Sequence, residues 1–116
     1  MRDDHAASDL SDDELEAIRD SVRALCQDFP GEYWRELDEK REYPTAFVTA
    51  MTEAGFMAAL IPEEYGGSGK DMMATIATIE ELATRSLGIA SGYIFCACYA
   101  GLNISEAASD DQKKQL

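Results

Sequence analysis

From Ser86 to Ser105 the chain carries no charged residue, a run of 20 positions between two charged segments. Such a run meets the length of about 20 apolar residues that an α-helix needs to cross a bilayer, so a membrane span has to be weighed first. Its composition argues against one. Gly88, Gly92 and Gly101, with Ser91, Asn103 and Ser105, dilute the apolarity, and the neighbouring segments have the amphipathic patterning of a soluble packing shell. A helix without a polar face reads instead as the buried centre of a helical domain. No membrane span is expected.

The rest of the chain is punctuated as helices. Ser11-Asp12-Asp13-Glu14 is a capping box, in which the serine accepts from the amide three residues on and the glutamate reaches back. Leu15, Ile18, Val22, Leu25 and Phe29 then recur at steps of three and four and share one helix face, up to a stop at Pro30-Gly31. The charged stretch that follows, anchored by Tyr33, Trp34 and Leu37, predicts a short helix or turn. Pro44 suits the first turn of another helix, since its missing amide would have no partner there. Phe47, Val48 and Met51 form that helix's inner face, and Gly55 ends it in the left-handed conformation. Phe56 to Ile61 is expected to cross the core in extended or irregular form before Pro62 and Gly66-Gly67 reverse it. A helix from about Asp71 to Arg85 should turn Met73, Ile76, Ala77, Leu82 and Ala83 inward, with Glu80-Glu81 at its edge. Ser86 caps the uncharged run. Ser109-Asp110-Asp111-Gln112 is a second capping box, opening a helix that reaches Leu116 without a stop signal. Residues 1–10 predict a disordered acidic arm, and His5 a tail residue.

Composition excludes several functions. A chain of 116 residues can bury roughly two thirds of its unfolded surface around one core without disulfides or metals. A formal net charge of -13 repels phosphate backbones, so nucleic acid is not an expected partner. Cys26, Cys96 and Cys98 are odd in number and form no metal-binding or redox motif, which predicts buried free thiols and no metal. Without a basic start, apolar run and cleavage site, a cytosolic location is expected.

Read together, YWRELDEKREYPTAFVTAMTEA (33–54), GFMAALIPEEYGGSG (55–69), IEELATRSLGIASGY (79–93) and SDDQKKQL (109–116) resemble, in this order, the N-terminal helical domain of FAD-dependent acyl-CoA dehydrogenases. The resemblance covers roughly four fifths of the chain. It implies an all-α fold, an orthogonal bundle of about five to six helices occupying residues 11–116. It further implies a truncated domain, because family members continue into a strand-rich flavin domain and a C-terminal helical domain that supplies the catalytic base. The base is therefore expected beyond Leu116. In that family a carboxylate removes the α proton of an acyl-CoA and the β hydrogen leaves as hydride to FAD, giving a 2,3-enoyl-CoA.

By resemblance, this domain supplies no catalytic residue and little or none of the FAD site; electron-transfer flavoprotein or a similar acceptor, and a homodimer or homotetramer, are the expected partners of the whole enzyme. What the first domain contributes is one wall of the acyl pocket. Aligned from the second capping box, that wall falls on Ser91, Gly92, Phe95, Cys96 and Tyr99, which share a helix face. Small Gly92 and Cys96 would leave room for a ligand, and Phe95 and Tyr99 would narrow it. Glu63 and Glu64, adjacent in a turn, read as structural. Gly66-Gly67-Ser68-Gly69 lacks the lysine and preceding strand of a phosphate loop. Ala107-Ala108 departs from a family glycine and would strain a left-handed bend. The alternative is a stand-alone, non-catalytic interaction module on the same fold.

Overall fold

In the computed structural model, which describes residues 10–69 and 71–115, the Ser11 capping box forms on both sides. The Glu14 amide donates to Ser11 Oγ at 3.2 Å and the Ser11 amide to the Glu14 carboxylate at 2.7 Å. It opens α1 (Asp12–Gln27), whose Val22 and Cys26 are buried while Leu15, Ile18, Leu25 and Phe29 are half-buried along the same side. The expected arm with His5 lies outside the described residues, except Leu10.

The charged stretch forms a regular helix, α2 (Gly31–Lys40). Tertiary contacts hold it: Trp34 Nε1 donates to the Phe29 carbonyl at 3.0 Å, and the Phe47 amide to Tyr33 Oη at 3.3 Å. Phe29, Tyr33, Trp34 and Phe47 stack edge to face at centroid distances of 4.9 to 5.4 Å. Arg41 ends α2 in the left-handed region, at φ 56°. Pro44 stands one position before α3 (Thr45–Glu53), and Gly55 at φ 88° terminates that helix.

Phe56 to Ile61 is not extended, contrary to expectation. It winds into a 3₁₀ turn (Phe56–Ala58) that buries Ala59 and Leu60, because a one-strand crossing would leave its amides without partners. A second 3₁₀ turn (Glu63–Tyr65) carries Glu63 and Glu64 exposed. The loop then folds back on itself, with Gly67 N donating to the Pro62 carbonyl, Ser68 N to Ala58 and Gly69 N to Ile61. A Cβ built on Gly67 would lie 2.1 Å from the Ile61 carbonyl oxygen, so this position has no room for any side chain.

Asp71 caps α4 (Met72–Ala83) through the Ala74 amide at 2.7 Å. Two expectations on this helix are corrected. Ala83 is exposed, and Glu81, expected at the edge, is 9% exposed. The buried face instead takes Thr75, Ala77, Thr78, Glu81 and Leu82, since the threonine hydroxyls return hydrogen bonds to Asp71 and Ala74 carbonyls and Glu81 pairs bidentately with Arg23 of α1 at 2.8 and 3.2 Å. α1 packs along α4, and α4 along the first part of the next helix.

That helix, α5 (Leu87–Ala107), is capped by Ser86 and passes through a π-helical stretch at Ile94–Ala100. By length and composition it is apolar enough to cross a membrane, with a mean hydropathy of 1.5. The expectation that it forms the buried centre is corrected: only 22% of its most apolar window is buried. Ala90, Tyr93 and Ala97 join Val22, Cys26, Phe47, Met51 and Leu82 in the core, whereas Leu87, Phe95 and Tyr99 are 76%, 61% and 57% exposed. The domain packs one side of α5 and leaves the other open. Ala108 then turns the chain at φ -79° and ψ 156°, ordinary extended backbone, so the alanine in place of a glycine carries no left-handed strain. Ser109 and Gln112 close the second capping box and start α6 (Asp110–Gln115). Leu116, to which the sequence reading carries this helix, lies outside the described residues. Every regular element among the described residues is therefore helical, six helices in all.

Candidate functional site

Helical periodicity in α5 separates two faces. Core contact turns Ala90, Tyr93 and Ala97 inward, so Gly92, Phe95, Cys96 and Tyr99 point outward, with Ser91 half-buried beside them. All five candidate residues thus lie on or beside the open face. Phe95 and Tyr99 sit one turn apart and meet edge to face, with ring centroids 5.2 Å apart and an interplanar angle of 74°. A Cβ on Gly92 would meet nothing within 4 Å.

The five do not all face one space. Gly92 and Cys96 border a cleft of about 750 Å³ between α5, α2 and α3; Ser91, Phe95 and Tyr99 lie outside its lining. Its far wall is Trp34 and Leu37 of α2 with Phe47, Val48 and Met51 of α3, and Met57 and Tyr93 also line it. Asp38, Arg41, Glu42 and Tyr43, all exposed, contribute charge and polarity from the end of α2 and the turn after it. Sequence reasoning identified these apolar anchors as packing faces but not as a cleft wall. No local signal could have done so, because the gap exists only where α2 and α3 meet α5.

The exposed thiol of Cys96 corrects the expectation of three buried cysteines; Cys26 is buried and Cys98 half-buried. Burial raises the thiol pKa of Cys26 and of Cys98, which keeps both protonated. Tyr93 donates its hydroxyl to the Phe56 carbonyl at 2.8 Å, and burial, reinforced by the Cys98 thiol, pushes its pKa up to about 12. At neutral pH this tyrosine is an uncharged donor already in use. The π stretch adds a local peculiarity: the Gly101 amide donates to Cys96 five residues back, in a backbone geometry often found at functional sites. The face and cleft together can exclude water and shape an apolar ligand. Among the described residues, no group of three or more His, Cys, Asp or Glu is placed to hold a metal ion.

The family model for the acyl-CoA dehydrogenase N-terminal domain matches residues 12–116. Among curated proteins, the chain is similar to the probable acyl-CoA dehydrogenase FadE25 of Mycobacterium tuberculosis, 41% identical over 71 residues, or 61% of this chain and 18% of that protein. It is 27% identical to the acyl-CoA dehydrogenase FadE12 of the same organism over 106 residues, 91% of this chain and 27% of that protein. It is also 32% identical to the 3-(aryl)acrylate reductase of Clostridium sporogenes over 88 residues, 76% of this chain and 19% of that protein. The chain thus spans between 18% and 27% of the length of these relatives. No solved structure matches it.

Proposed function

The chain belongs to the acyl-CoA dehydrogenase family, as its N-terminal domain, and on that premise we propose that it forms part of an FAD-dependent enzyme that oxidises an acyl-CoA to a 2,3-enoyl-CoA. In this reading residues 11–116 are the helical domain of a longer protein, and Ser91, Gly92, Phe95, Cys96 and Tyr99 form one wall of the acyl pocket. The observation that carries it is the open face of α5. A folded domain that leaves Leu87, Phe95 and Tyr99 more than half exposed has apolar surface shaped to be covered. We assign that cover to the acyl chain and the flavin and C-terminal domains of the same protein. Lipid fits less well, because α4, which packs against α5, exposes the charged Glu80 near its end and is followed by the exposed Arg85.

FAD is the oxidant this reading requires, and the glycine loop of this domain does not fit its diphosphate. The amides of Gly66, Gly67, Ser68 and Gly69 all donate to carbonyls of the loop itself, to Glu63, Pro62, Ala58 and Ile61. The flavin site is therefore proposed to lie in the remainder of the protein, beyond Leu116, as is the carboxylate base. A cytosolic homodimer or homotetramer that passes electrons to an electron-transfer flavoprotein completes the proposal.

Anaerobic addition of acyl-CoA thioesters to the full-length flavoprotein should bleach its flavin absorbance. Failure with every chain length tried would overturn the assignment. In the same protein, Gly92→Leu should move the preference toward shorter acyl chains, since the new side chain enters open space on the proposed wall. Unchanged kcat/KM ratios between short and long substrates, in a normally folded variant, would remove Gly92 from the pocket.

A further inference from the structure

Gly92 and Cys96 belong to two surfaces at once, the open face of α5 and the wall of the 750 Å³ cleft. They form a low saddle between them, because Gly92 has no side chain and nothing stands within 4 Å of where one would begin. Beyond the saddle the aromatic and aliphatic side chains of Trp34, Leu37, Phe47, Val48, Met51, Met57 and Tyr93 line the cleft, and the indole and phenol among them are already committed. The Trp34 indole donates to the Phe29 carbonyl at 3.0 Å, and the Tyr93 hydroxyl to the Phe56 carbonyl at 2.8 Å. These side chains offer a ligand dispersion contact. The volume of the cleft falls in the range of about 300–1,000 Å³ that holds whole drug-sized ligands.

We propose that the cleft accepts a ring-bearing acyl tail that passes over Gly92 and Cys96 and packs against Trp34 and Phe47. This specifies the substrate class of the proposed dehydrogenase and rests on the reading of the α5 face as acyl-pocket wall. A flat ring matches the aromatic wall, where Trp34 and Phe47 already meet edge to face at 4.9 Å. It also has fewer rotatable bonds to freeze than a straight chain of equal carbon number. The charged groups of the cleft lining, Asp38, Arg41 and Glu42, stay exposed to solvent and leave the floor to hydrocarbon.

Trp34 is the single tryptophan of the chain, so its fluorescence reports occupancy of the cleft directly. The probes are two uncharged N-acetylcysteamine thioesters, of 4-(4-bromophenyl)butanoic acid and of straight-chain 10-bromodecanoic acid; bromine quenches indole emission on contact. Both avoid repulsion by the net charge of -13. The aryl probe should quench saturably and half-saturate at a concentration about tenfold lower than the straight probe, the scale on which shape and frozen rotors decide apolar binding. Gly92→Phe should abolish the saturable component while leaving helical circular dichroism and unliganded Trp34 emission unchanged. Equal half-saturation by the two probes, or quenching that never saturates, overturns the inference using the unmodified chain alone. Saturable aryl quenching that survives in a folded Gly92→Phe chain overturns the route over the saddle. Flavin bleaching in the full-length protein is a separate reading, so a bleached enzyme whose Trp34 does not discriminate keeps the proposed activity and loses the ring preference.

Discussion

Gly67 and Gly92 are the same residue held for opposite reasons. At Gly67 the Ile61 backbone occupies the place of a side chain, with its oxygen 2.1 Å from a built Cβ, so Gly67→Ala must displace main chain. The expected cost is about 2–3 kcal/mol, as for an overpacked core. At Gly92 the helix gains propensity and meets nothing, so Gly92→Ala should stabilise by about 0.5–1 kcal/mol. Urea denaturation of both variants measures the contrast, and equal changes would contradict the geometry. Tyr93 carries a pH signature. Its folded pKa of about 12 lies above the ordinary 10.0, so the folded state holds a proton that the unfolded state releases between those values. Stability from this group is complete below pH 10 and is lost as pH rises toward 12, by up to about 2–3 kcal/mol. Tyr93→Phe should remove this component of the slope while costing about 1–2 kcal/mol at pH 7, through the orphaned Phe56 carbonyl. Parallel stability curves for the two proteins above pH 10 would show that the proton is not held.

At the scale of elements, the helix starts are local chemistry and the faces are not. Ser11, Asp71, Ser86 and Ser109 each bond a following amide through their own side chain, within two or three residues. Such caps depend on adjacent sequence alone, which is why the starts of α1, α4, α5 and α6 were readable to within about two residues. Ser11→Ala should cost about 1 kcal/mol and Asp71→Ala a similar amount, with the double variant close to the sum, since the two caps share no partner. Thermal and urea melts test both the size and the additivity. α2 lacks a side-chain cap and has no buried residue, and its existence as a full helix follows from Trp34 and Tyr33 reaching Phe29 and Phe47. Glu81 shows the same limit within a helix whose ends were clear: it is Arg23, 58 residues away in sequence, that pairs with it and makes its burial tolerable.

For the whole molecule, the open side of α5 dominates behaviour in solution. Leu87, Phe95 and Tyr99, at successive spacings of eight and four residues along α5, leave apolar surface exposed, while a net charge of -13 opposes unlimited aggregation. The 116-residue chain should therefore form small soluble oligomers, and Phe95→Ser with Tyr99→Ser should shift it toward monomer. Light scattering across a concentration series decides this. A wild-type chain that stays monomeric and melts sharply would mean that the face needs no cover.

Sequence alone determined the helix starts and the common helix side of Gly92, Phe95, Cys96 and Tyr99, because each depends on spacing or capping between near neighbours, while the helical class and the family were legible through the resemblance of its quoted segments. It also made Gly55 and the Gly66–Gly69 turn legible, since only a few residues tolerate such backbone. Tertiary structure decided which side of an uncharged helix is covered. Periodicity cannot settle that for α5, where apolar residues run all the way round and only contact with α4, the 3₁₀ turn and the α3 core selects Ala90, Tyr93 and Ala97. The cleft belongs to the same class of property. It is the space left between helices whose mutual angle no local pattern encodes, and Gly92 and Cys96 acquire their second role only when α2 and α3 are set beside them.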